Sequence, residues 1–150
     1  MSLQRGIAAV EFALVFGFLF LVLYGIATFG AALYTQQVVT RAAEEGARAI
    51  SLLPPSVPLV DDDARIKGVV FNSLKTSMIA PTVSSNWIEQ KVNVRISKQP
   101  GSPTGIPPAQ ATVVVTFPYD SVSRLLPSLP LVGSSPEKLT SRAIAALQSS

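Results

Sequence analysis

The chain has 150 residues, 48% of them hydrophobic, and a net charge of +3, which leaves room for one small domain beside its N-terminal apolar block. Cysteine and histidine are both absent; the usual zinc, haem, iron–sulfur and thiol chemistries, a Ser-His-Asp triad and any disulfide are therefore excluded. Arg5 and Glu11 cancel, and the net charge is scattered from Arg41 onward without a basic run, a poor footing for nucleic acid.

Residues 1–6 (MSLQRG) are short, polar and basic, and they stop abruptly at the apolar block. From Phe12 to Thr40 there is no Asp, Glu, Lys or Arg. As a helix this stretch is about 44 Å long, more than the roughly 30 Å that a hydrocarbon core demands, and it is expected to lie in a membrane. A secretory signal would place a shorter apolar stretch before a small-residue cleavage site, and here the order is inverted. Arg5 favours a cytoplasmic N-terminus, whereas Arg41 and Arg48 on the far side weaken that orientation signal.

Glu11 is the informative residue, because a carboxylate inside a membrane helix is costly and needs a partner. A cut after Gly6 would make Ile7 the new N-terminus, and its α-amino group would supply a cation. Glu11 would then be the fifth residue, four positions after that amine and on the same helical face. In a stack of parallel helices, one subunit's Glu11 could neutralise the terminus of the next.

The Gly6-Ile7-Ala8-Ala9-Val10-Glu11-Phe12 arrangement resembles a type IV prepilin cleavage site. Residues 5–50, ending in Arg-Ala-Ala-Glu-Glu-Gly-Ala-Arg-Ala (Arg41 to Ala49), resemble the N-terminal block of TadE-like proteins, minor pilins or pseudopilins of the Tad (tight adherence, Flp-type) pilus. The resemblance implies processing by a prepilin peptidase, other pilin or pseudopilin subunits as partners, and a role in pilus assembly, adhesion or secretion. It also implies an inner-membrane protein with one span and an extracytoplasmic C-terminal domain, whether it stays there or enters an extracellular pilus.

Ala9, Ala13 and Gly17 recur every four residues, a stripe that lets helix backbones approach closely in lipid. Phe12, Phe16, Phe20 and Tyr24 form a second such stripe about 100° away. Lipid-facing bulk accounts for each of these residues singly. Taken together they also suit packing in which the aromatic edge of one subunit seats on the small edge of its neighbour. Beyond Ala32 the pattern becomes amphipathic, with Tyr34, Val38, Ala42 and Ala49 among charged and amide residues; this part is expected to leave the bilayer and pack on the following domain. Gly46 within it is tolerated at some cost, and Pro54 and Pro55 end it.

The expected organisation is a leader (1–6), an N-terminal transmembrane and amphipathic helix (7–53), a linker (54–60) and an extracytoplasmic domain (61–150). Asp61-Asp62-Asp63 opens a second helix with Ile66, Val69, Val70, Leu74 and Met78 on one face, its acids serving the helix start rather than a metal. Val92, Val94 and Ile96 alternate with polar residues as a half-buried strand, and Ala111 to Phe117 forms another. Residues 98–108 read as turn material and 121–134 as a Leu- and Pro-rich loop. The segment from Leu139 to Leu147 fits helical spacing, but the resemblance implies a strand there, and three strands are easier to stabilise than two. The fold class is α+β: a long N-terminal helix, one further helix and a roughly three-stranded antiparallel sheet.

Glu89, Asp120, Glu137 and the Asp61–Asp63 cluster are the candidate acids and bases, and none lies in a recognisable catalytic motif. No catalytic residue, metal, cofactor or small-molecule substrate is expected. Trp87 suits packing in the core or at its edge. The alternative to a pilus subunit is an unprocessed, membrane-anchored periplasmic binding or scaffold protein, for which Gly6 and Glu11 have no special role; a tethered enzyme is a further possibility that no motif selects.

Overall fold

The structure, a computed structural model, describes residues 3–54, 58–77, 84–100, 109–119 and 137–147. Helix α1 runs unbroken from Leu3 to Ser51, about 74 Å at 1.5 Å per residue. Its large apolar side chains are exposed from Ile7 to Leu33, and the stretch is long and apolar enough to cross a membrane. Within it the Thr28 hydroxyl donates to the Tyr24 carbonyl at 2.8 Å, so this polar group is satisfied inside the helix rather than offered to lipid. Burial begins at Thr35 and continues through Val39, Ala42, Ala43, Gly46, Ala47 and Ile50, an amphipathic stripe that holds Ala42 as expected but leaves Tyr34, Val38 and Ala49 half-buried at its margin.

That stripe meets a three-stranded antiparallel sheet in the order β1-β2-β3, with β1 Asn93–Gln99, β2 Gln110–Pro118 and β3 Lys138–Ala146. Ala111, Val113, Val115 and Phe117 of β2 turn inward, joined by Val94 and Ile96 of β1 and by Leu139 and Ala145 of β3. The ends of β2 oppose those of β3, Gln110 with Ala146 and Pro118 with Lys138. Pairing along its whole length settles the last segment as a strand: the ladder satisfies its backbone and buries alternate residues, which outweighs the helix propensity of its alanines.

Helix α2, Ala64–Lys75, lies against α1 and buries Ile66, Val70 and Leu74. Val69, expected on that face, is 38% exposed, because the buried residues are spaced by four and Val69 falls one position to the side. Met78, Asp120, the loop 121–134, most of the turn 98–108 and part of the linker lie outside the described residues. Alongside the one further helix expected, the structure holds another, α3, Ser85–Lys91, capped by the Ser84 hydroxyl accepting from the Trp87 amide. It places Ile88 in the core and Trp87 against Phe117, ring centroids 5.6 Å apart.

The three aspartates divide their work. Asp63 caps α2, accepting from the Arg65 amide at 2.9 Å and from the Arg65 guanidinium. Asp62 has φ of 60°, a left-handed backbone that aspartate tolerates better than most residues. In that shape its amide donates to the Ile96 carbonyl and its carboxylate accepts from the Ile96 amide. Asp61 accepts from the Lys98 amide. Backbone groups on the outer edge of β1 are thereby occupied, which blunts that edge against strand addition.

The hydrogen bonds and charge of Arg65 hold the Asp63 carboxyl down at about 2, below its ordinary 3.8. Asp62 is lowered too, chiefly by the Ile96 amide and further by Lys67. A carboxylate with a depressed folded pKa stabilises the fold above its unfolded pKa and loses that contribution as pH falls. The domain is therefore expected to weaken between about pH 4 and pH 2, and Asp63→Asn to flatten that dependence in urea titrations at stepped pH. An unchanged acid slope in the variant would remove Asp63 as its source.

Candidate assembly surface on the N-terminal helix

Gly6, Ile7, Ala9, Glu11, Phe12, Ala13, Phe16, Gly17, Phe20 and Tyr24 all lie on α1, and all but the half-buried Tyr24 are exposed. Ile7 and Glu11 stand one turn apart on the same face. The Glu11 side chain has no ion pair or hydrogen bond among the described residues. A Cβ built on Gly6 or Gly17 meets nothing within 4 Å, so within one chain the small-residue stripe is an open notch.

The aromatic stripe forms two ring pairs. Phe12 and Phe16 stack with centroids 5.9 Å apart and planes at 20°, and Phe20 and Tyr24 lie 6.1 Å apart at 30°. Offset pairs of this kind are favourable beyond their area and stiffen a ridge beside the notch. Small and bulky stripes on adjoining faces of one helix form a surface that parallel copies can interlock. The geometry offers packing and one charge; among the described residues it brings no second titratable group beside Glu11.

Of the acids considered for chemistry, Glu89 is paired with Lys75 and the Glu137 carbonyl accepts from the Tyr119 amide. The aspartates serve the cap and edge described above. Sequence reasoning missed two features of the lower domain: the close approach at Gly46 and a polar groove between α1 and α2. Both depend on where α2 lies, which no local pattern announces; the one signal was Arg41 and Glu45 four positions apart on a helix face.

Among the described residues one long apolar helix is able to cross a membrane, and it is joined to a small α+β domain, which defines the class: a chain fit to be held in a membrane by its N-terminus. Residues 6–48 match the family model described as TadE-like protein. Over that N-terminal stretch, and not over the domain that follows, the chain is similar to TadE-like protein. No curated protein and no solved structure gives a match.

Proposed function

We propose that the chain is a minor pilin, or pseudopilin, of a Tad pilus, made with a leader that a prepilin peptidase removes after Gly6. Mature α1 spans the inner membrane with the C-terminal domain outside, and it packs with other pilin subunits through the Ala9, Ala13, Gly17 notch and the Phe12, Phe16, Phe20, Tyr24 ridge. Glu11 pairs with the α-amino group of a neighbour's Ile7. Adhesion or secretion is the output.

The supporting observation is Glu11 itself, an exposed carboxylate on an uncovered apolar rod with no partner among the described residues. A charge there is unfavourable in lipid, and a group from outside this chain or a newly made terminus would answer it. The unprocessed-anchor alternative draws on one feature, the continuity of α1 through Gly6 to Leu3.

Intact mass of protein from the native host separates the two, since the proposal requires loss of residues 1–6. Gly6→Lys is expected to keep the leader. Glu11→Ala is expected to be cut normally but to fall about tenfold in sheared pili, the population change given by about 1.4 kcal/mol per contact. Wild-type pilus content in the Glu11→Ala strain would contradict the charge pairing.

A further inference from the structure

The groove between α1 and α2 lies where α1 leaves its apolar run. A Cβ at Gly46 would face Ile66 and Val70, whereas Tyr34 and Val38 share the groove with Ser73, Thr76 and Ser77. α2 therefore runs back along α1 and ends near Tyr34. The groove has a volume of about 610 Å³, and its polar wall includes Gln37, Arg41 and Glu45. The exposed apolar stretch of α1 ends at Leu33 and burial against the domain begins at Thr35, so Tyr34 and the mouth of the groove mark the level at which α1 leaves the hydrocarbon for the headgroups.

Arg41 and Glu45 stand one turn apart on the same wall. Neither side chain has an ion pair or hydrogen bond among the described residues, so the two charges do not close on each other. Side chains on a helix lean toward its N-terminus, which on α1 is the membrane side. The long stem of Arg41 can thus carry its guanidinium down toward the bilayer, and a guanidinium is suited to phosphate oxygens. Gln37 and Ser73 add neutral donors beside it. Glu45 lies about 6 Å further along the axis, on the side of Arg41 away from the apolar run.

We propose that this groove seats the headgroup of a membrane phospholipid, its phosphate on Arg41 and an outward amine toward Glu45, which is the chemistry of a phosphoethanolamine ester. This rests on α1 crossing the bilayer. Resemblance to a pilin does not require it, and no packing role is assigned to either side chain.

The test uses the full chain reconstituted in phosphatidylcholine vesicles doped with phosphatidylethanolamine or phosphatidylglycerol. Flotation with the vesicles checks the membrane reading first; failure to float overturns the anchor, and the lipid site with it. For protein that floats, lipid retained after gentle detergent extraction is read by native mass spectrometry. The expected result is preferential retention of phosphatidylethanolamine, a loss of about tenfold in Arg41→Gln, little change in Arg48→Gln, and loss of headgroup preference in Glu45→Gln. Arg48 is exposed on the same helix and outside the groove, so equal effects of Arg41→Gln and Arg48→Gln would reduce the pair to solvated surface charge and overturn the site. Preference for phosphatidylglycerol in the wild type would overturn the amine assignment. Displacement of the lipid by soluble phosphoethanolamine at equal concentration would assign the groove to a free ester. Unchanged lipid retention by Arg41→Gln, with loss of a co-purifying pilus subunit, would make it a protein contact instead.

Discussion

Phe117→Ala is expected to destabilise the C-terminal domain by about 3–5 kcal/mol while leaving the apolar part of α1 helical. Phe117 is fully buried near the end of β2, opposite Leu139 of β3, with its ring against Trp87. It joins α3 to the sheet and is the largest of the fully buried side chains. Truncation removes apolar area and leaves a cavity between elements that the sheet ladder prevents from closing. Small domains hold only about 5–15 kcal/mol in all, so most of the margin would go. Trp87 is the single tryptophan, and its emission should shift to the red as its aromatic neighbour disappears. The measurement is a urea midpoint followed by that emission, beside far-UV circular dichroism of the full chain in detergent. A midpoint unchanged from wild type would mean that Phe117 does not hold the core together.

How much of this was legible in the sequence follows from how local each signal is. The N-terminal helix needed only an uncharged run and its ends, and the spacing of Gly6, Ile7 and Glu11 is fixed within one element. Strands β1 and β2 announced themselves by alternation. The last strand did not, because Leu139, Ala143 and Leu147 also suit a helix; its state is set by pairing with β2, which lies distant in sequence. Helix α3 is too short for a periodic pattern and buries a single residue, Ile88, fully. Its formation depends on the Ser84 cap and on a floor that Phe117 supplies from elsewhere in the chain.

The aspartates divide along the same line. Asp63 was readable as a cap because capping is a matter of neighbouring residues. The contacts of Asp62 with Ile96 and of Asp61 with Lys98 join segments more than thirty positions apart, and nothing in a triple-aspartate run distinguishes its members. The groove is equally nonlocal. Arg41 and Glu45 were visible as charges on a helix face, but a wall becomes a groove only when α2 lies back along it.

Gly46 carries the second large expectation, and the structure reverses its sense. By propensity, Gly46→Ala inside a helix should stabilise by about 1 kcal/mol. A Cβ at this position, however, would lie 2.8 Å from Val70 Cγ2 and 3.2 Å from Val113 Cγ1, well inside the roughly 3.5–4.0 Å of carbon contact. Three elements meet there, α1 carrying the glycine, α2 carrying Val70 and β2 carrying Val113, so no wall can retreat without moving another. Overpacking of this kind costs about 1–3 kcal/mol, and Gly46→Ala should come out neutral to about 2 kcal/mol less stable. Gly46→Leu has no space for its branch and is expected to detach α2 and unfold the domain, seen as loss of the cooperative urea transition and rapid proteolysis beyond residue 51. Val70→Ala removes the nearer of the two methyl contacts, so in the Gly46→Ala background it should cost less than it does alone, a coupling that a double-mutant cycle measures directly. Stabilisation by Gly46→Ala together with additive behaviour of the pair would show that helix propensity governs the site and that α1 and α2 do not approach as closely as drawn.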